Sequence, residues 1–167
     1  SRAAKYWNHR GGFKAVVKGE IKEAHYYFYN EFASAGIQEF FEEHKSLLIE
    51  SINVSDGNMK ARGGGIIGLD LIHDKFPYYA IRLTALTCDA MGANYLNTHI
   101  ESVGKIWNQI LPESLRKNYC AVMGILSNYT PQSLVEVSCT CPLEDFVPQG
   151  LEISSDQFLK QMDHAYT

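Results

Sequence analysis

The stretch "IIGLDLIHDKFPYYAIRLTALT", Ile66 to Thr87, decides the fold. It contains two alternating runs. Ile67, Leu69 and Leu71 fall on one side of the first, and Tyr79, Ile81, Leu83 and Ala85 on one side of the second. "DKFP" between them is a turn signal, so the pair reads as a β-hairpin. A mid-chain hairpin makes neighbouring strands antiparallel. It therefore argues against a doubly wound sheet, in which strand and helix alternate around parallel strands. No G-x-G-x-x-G follows a strand.

A helical pattern lies on each side of the hairpin. Upstream, "NEFASAGIQEFFEEHKSLLIESIN" sets Phe32, Ile37, Phe40, Phe41, His44, Leu48 and Ile52 near one face. Downstream, from about Met91 to Ile110, the stripe is Leu96, Ile100, Val103, Trp107 and Ile110. Strands are expected at "FKAVVKGEI" (Phe13 to Ile21), "YCAVMGIL" and "SLVEVSCTC". The tail "SSDQFLKQMDHAY" reads as a short helix with Ser155 as its N-cap. The aromatic run "HYYFYNEF", His25 to Phe32, reads as core packing, with covering of the sheet or facing another domain as alternatives. The resulting order, strand-helix-strand-strand-helix-strand, predicts an α+β, ferredoxin-like βαββαβ antiparallel sheet with helices on one face, plus an extra C-terminal strand and helix.

Composition bounds the function. Apolar residues make up 46% of the 167, enough for a packed core. The formal net charge is −4 and no Lys/Arg cluster stands out, which argues against a nucleic-acid partner. No apolar run approaches the roughly 18 residues of a membrane helix, and no signal peptide opens the chain. The abrupt start at "SRAAKYWNHRGGF", without an initiator Met, suggests a piece of something larger. Cys88, Cys120, Cys139 and Cys141 lack a second pair at zinc-ligand spacing. They read as reduced thiols of a cytoplasmic protein, with a redox or metal role as the alternative.

The junction "CDAMGANYLNT", Cys88 to Thr98, carries the chemistry. Asp89 is expected as the N-cap of the second helix. Gly92 allows close approach of a backbone or ligand. Asn94 and Asn97, one turn apart, offer amides. The positive end of this helix suits a phosphate. Spacing alone also fits a plain capped helix.

The hexamer "DAMGAN", Asp89 to Asn94, resembles the signature of 3-hydroxy-3-methylglutaryl-coenzyme A (HMG-CoA) reductase, and the longer string resembles the class II, bacterial branch. "AAKYWNHRGGF" (Ala3 to Phe13), "RGGG" (Arg62 to Gly65) and "ILSN" (Ile125 to Asn128) are similar to further family segments in the right order. The residues after "LSN" depart from the family's charged pattern. The resemblance implies a small domain that binds a nicotinamide dinucleotide on a ferredoxin-like framework. It implies that Asp89, Ala90, Met91, Gly92, Ala93 and Asn94 cradle the diphosphate and adjoining ribose, and that Asn128 hydrogen-bonds the cofactor. It places the family's NAD-selecting acid at Asp56, so NAD(H) is favoured over NADP(H); "SDGN" also reads as a simple turn.

The same resemblance divides the chain into a linker from a catalytic large domain (1–12), the NAD(P)-binding small domain (13–148) and a C-terminal extension leading back to the large domain (149–167). The family reduces HMG-CoA to mevalonate, or runs the reverse, by two hydride transfers. Its catalytic Glu, Lys, Asp and His are expected outside this chain, so no catalytic residue is assigned here. HMG-CoA would bind through the missing large domain, and the parent enzyme would be a homodimer or a multiple of dimers. The alternative is a non-enzymatic ferredoxin-like module that binds a small ligand or a protein.

Overall fold

The computed structural model describes residues 2–31, 34–53, 57–147, 150 and 152–166. In chain order the elements are α1 (Arg2–Asn8), β1 (Lys14–Val17), β2 (Ile21–Asn30), α2 (Ser34–Asn53), α3 (Gly57–Lys60), β3 (Gly65–Lys75), β4 (Tyr78–Leu86), α4 (Ala93–Ile110), α5 (Glu113–Arg116), β5 (Tyr119–Leu126), β6 (Val135–Ser138), α6 (Leu143–Phe146) and α7 (Ser155–Tyr166). The chain forms two compact units, Lys18–Leu134 and Ser1–Val17 with Val135–Thr167.

In the larger unit four strands pair antiparallel in the order β3-β4-β2-β5. With α2 and α4 this is the expected βαββαβ arrangement. Its first strand, however, is β2 and not the predicted Phe13 to Ile21. Ala24, Tyr26, Phe28 and Asn30 of β2 are buried. Tyr27 and Tyr29 alternate with them, so aromatic residues occupy both faces and blur the period-2 contrast. The run "HYYFYN" is thus the centre of the sheet. Lys14–Val17 instead pairs with β6 in a separate two-stranded sheet.

The core lies between one sheet face and the two long helices. Ile37, Phe41, Leu48 and Ile52 of α2 and Leu96, Ile100, Val103 and Trp107 of α4 are fully buried against Leu69, Ile81, Leu83 and Ala85. The Trp107 ring centroid stands 5.7 Å from that of Phe28 and 5.5 Å from that of Phe40. Truncating such a buried aromatic to Ala typically costs about 3–5 kcal/mol. Buried Asn30 donates to the Leu115 carbonyl at 2.7 Å, which ties the end of β2 to α5.

One predicted face residue points the wrong way. Ile67 is 56% exposed. A register shift between Ile66 and Gly68 lets Ile66 pair with Ala85 and Leu69 with Leu83, and puts Ile67 in the bulge. In the smaller unit α7 is capped one residue earlier than expected. The Ser154 hydroxyl accepts from Gln157 N at 3.2 Å, and Gln157 Oε1 accepts from Ser154 N at 3.1 Å, a capping box.

Candidate functional site

Sheet register brings four chain segments to one end of the larger unit. Gly65 and Ile21 both lie opposite Leu86, and Leu126 lies opposite Ala24. The start of β3, the end of β4, the start of β2 and the end of β5 therefore converge. The hexamer 89–94 spans the β4–α4 junction at this end.

The junction is a turn before it is a helix. Thr87 is buried, and both its N–H and its hydroxyl donate to the Glu20 carbonyl, at 3.0 and 3.2 Å. Ala90 N donates to Thr87 O at 3.0 Å. Cys88 sits at φ 51, and its thiol lies 3.5 Å from the Arg62 carbonyl. Gly92 follows at φ 78, and a Cβ there would stand 2.6 Å from Thr87 Cγ2. Conformation and close packing both demand glycine.

Helix α4 begins after this turn, so the expected cap is displaced. Gly92, not Asp89, is the N-cap, and its carbonyl accepts from Leu96 N at 2.9 Å. Three residues of turn separate Asp89 from the helix, placing its carboxylate too early to cap it. Asp89 instead faces Arg62 at 4.0 Å, with its side chain 88% exposed. Such a pair contributes little in water. Gly92 has no side chain to cap α4, so among the described residues the N–H groups of Ala93 and Asn94 meet no capping side chain. This is the open positive end of an 18-residue helix.

The flanks are held tightly. Lys22 donates to the carbonyls of Ala90, at 3.1 Å, and Met91, at 2.8 Å. The "RGGG" run packs onto the end of β4. Gly63 and Gly65 have φ 84 and 128, and a Cβ on Gly64 would lie 2.5 Å from the Leu86 carbonyl. Asn97 turns inward, its Oδ1 accepting from Leu126 N at 3.0 Å, so only Asn94 of the two asparagines is presented to solvent. Met91 is 76% exposed, while Ala90 and Ala93 are half-buried. Beyond β5, Ser127 N donates to Glu23 O at 2.9 Å and the Ser127 hydroxyl bonds Tyr129. Asn128 is exposed at the tip of that turn, at the same end of the sheet as the hexamer. Asp56 lies outside the described residues.

Sequence reasoning missed Lys22 and the pairing of Arg62 with Asp89. Lys22 lies just past the predicted strand Phe13 to Ile21 and belongs to no motif, and only the observed strand register reveals what it meets. The uncapped N–H groups of Ala93 and Asn94 and two neighbouring cations suit a phosphate-bearing anion. All four cysteines are free thiols. Among the described residues no His/Cys/Asp/Glu group is placed to hold a metal, and no helix is long and apolar enough to cross a membrane.

Fold and site together define an α+β protein of the split βαβ class with an anion-receptive helix end at one edge of its sheet. The family model for hydroxymethylglutaryl-coenzyme A reductase matches residues 1–167, and the chain belongs to that family. Among solved structures it is similar to the class II 3-hydroxy-3-methylglutaryl-CoA reductase from Streptococcus pneumoniae bound to NADPH in open conformations. That likeness has 30% identity and a TM-score of 0.70, and covers 96% of this chain and 41% of that one. Two further structures of the S. pneumoniae enzyme match at 29% and 28% identity, each with a TM-score of 0.70 and 96% of this chain covered. The chain spans 36% and 42% of the length of those two. No curated protein matches the chain.

Proposed function

We propose that this chain holds the nicotinamide dinucleotide of an HMG-CoA reductase of class II type. The whole enzyme would reduce HMG-CoA to mevalonate, or run the reverse, by two hydride transfers in the cytoplasm. The observation that carries this reading is the position of the hexamer. Asp89 to Asn94 lie at the uncapped N-terminus of α4, beside Lys22 and Arg62. A similar structure from S. pneumoniae is bound to NADPH, which supports a dinucleotide of this kind.

The dinucleotide supplies the hydride; this chain binds and orients it. The amides of Met91 to Asn94 would meet the diphosphate oxygens, whose charge the helix end and the two cations favour. Gly92 keeps the turn packed on Thr87, where a Cβ would stand 2.6 Å from Cγ2, and so fixes the place of these amides. Asp89 would bond the adjoining ribose and Asn128 the cofactor from the β5 side. Asp56 would accept from both hydroxyls of the adenosine ribose and repel a 2′-phosphate, so NADH is favoured over NADPH. Residues 1–12 and 149–167 would join this domain, 13–148, to a large domain that binds HMG-CoA and carries the catalytic Glu, Lys, Asp and His. The working form would be a homodimer or a multiple of dimers.

The reading is tested by the fluorescence of bound NADH. Wild-type chain should enhance it saturably, and Asp89→Ala and Asn94→Ala should each weaken binding about tenfold, the size of one lost charge-assisted or buried hydrogen bond. Variants that bind like wild type would remove the hexamer from the site.

A further inference from the structure

We propose that Lys22 is a positioning residue of the dinucleotide site, a clamp that holds the 90–92 backbone in its anion-receiving conformation. The inference rests on the cofactor reading above and adds a residue that neither the hexamer nor its flanking motifs contain.

Lys22 occupies an unusual place for a lysine. It is the first position of the run 22, 24, 26, 28, and the later members Ala24, Tyr26 and Phe28 form the core face of β2. Its register partner Ala85 is fully buried on that face. The residue is half-buried, its stem lying along this face and its ammonium reaching out to polar partners. It finds them in two successive carbonyls, Ala90 O at 3.1 Å and Met91 O at 2.8 Å.

That pairing has a directional consequence. In a trans peptide the carbonyl and the following N–H point in opposite directions. With Ala90 O and Met91 O both drawn to Lys22, the N–H groups of Met91 and Gly92 point away from it. Among the described residues neither amide has a hydrogen-bond acceptor. They continue directly into the uncapped N–H groups of Ala93 and Asn94, and consecutive outward amides of this kind form an anion-binding concavity. The turn has little else to hold these two peptide planes. Its other bonds, from Thr87 to Glu20 and from Ala90 to Thr87, end at residue 90, and the next, from Leu96 N to Gly92 O, belongs to the helix start.

The test compares wild type, Lys22→Met and Lys22→Arg. Met keeps the apolar stem and loses the donor; Arg keeps a donor that can reach both carbonyls. Two quantities are read: the amide resonances of Met91 and Gly92 without cofactor, and the dissociation constants for NADH and NADPH by calorimetry. Lys22→Met should shift both resonances and weaken both cofactors by a similar factor, about tenfold. Lys22→Arg should keep wild-type resonances and bind within about twofold of wild type, a rescue that general loss of stability would not produce. Wild-type affinity and unmoved amides in Lys22→Met would overturn the clamp while leaving the cofactor reading intact. Failure of the wild-type chain to bind either dinucleotide would overturn the cofactor reading, and the role of Lys22 with it.

Discussion

Gly104 of α4 lies directly beneath the ring of Tyr26 on β2: a Cβ on Gly104 would stand 2.5 Å from Tyr26 Cδ2 and 2.8 Å from Cζ. The ring cannot simply move aside. Its hydroxyl is 2.8 Å from that of Tyr119 and accepts from Asn108 Nδ2 at 3.0 Å. Burial, then the bond to Tyr26, pushes the Tyr119 phenol far above its ordinary range, so the Tyr119 hydroxyl stays protonated in this network. Mid-helix Gly→Ala ordinarily stabilises by about 1 kcal/mol. Here Gly104→Ala should destabilise by about 1–3 kcal/mol, the usual size of overpacking. Urea unfolding of the two proteins decides the sign.

Gly92→Ala should impair both stability and binding. A left-handed conformation costs a non-glycine residue about 1–2 kcal/mol, and the new methyl would collide with buried Thr87. Gly36 and Gly57 meet nothing within 4 Å of an added Cβ. Gly36→Ala, on α2, should therefore leave the urea midpoint unchanged or raised and dinucleotide affinity unaltered. The contrast between the two substitutions is the expected result.

His25 should make stability depend on pH. Burial lowers its pKa below the ordinary 6.5; Glu23, 3.8 Å away, partly opposes this and Arg82 adds to it. The folded state thus prefers neutral His25, and on acidification the unfolded chain takes up the proton first. The contribution is complete above about pH 6.5 and is lost as pH falls through that value toward the lower folded pKa. Unfolding free energies of wild type and His25→Gln between about pH 5 and 8 should diverge in this direction, with a slope below about 1.4 kcal/mol per pH unit. Parallel curves would contradict it.

Asn97→Ala should act on the site at one remove. It leaves Leu126 N, at the end of β5, without its acceptor. An orphaned half-buried N–H costs about 1–3 kcal/mol. Because Asn128 follows two residues later, dinucleotide affinity should fall as well, but by less than in Asn94→Ala. Paired calorimetric and unfolding measurements check the order.

Much of this architecture is legible in one sequence because both long helices are one-sided. Ile37, Phe41, Leu48 and Ile52, and Leu96, Ile100, Val103 and Trp107, show their burial through spacing alone. Strand β2 is obscured for the opposite reason: tyrosines on both faces remove the alternation that marks a half-buried strand. The bulge at Ile67 adds one residue to a regular run, and no periodicity announces it. At the site, the hexamer is recognisable as a string, yet its conformation depends on Glu20 and Lys22, which lie nearly 70 residues away and become neighbours only through strand pairing. The N-cap accordingly falls at Gly92 and not at the expected Asp89.

Calorimetric titration of wild type and Asp56→Ala with NADH and NADPH tests whether residues 89–94 and 128 receive a nicotinamide dinucleotide selected by Asp56. Wild type should bind NADH more tightly than NADPH, and Asp56→Ala should lose that preference through weaker NADH binding and relieved repulsion of NADPH. Equal affinity of wild type for the two cofactors would contradict the role of Asp56, and no binding of either would contradict the assignment of the site itself.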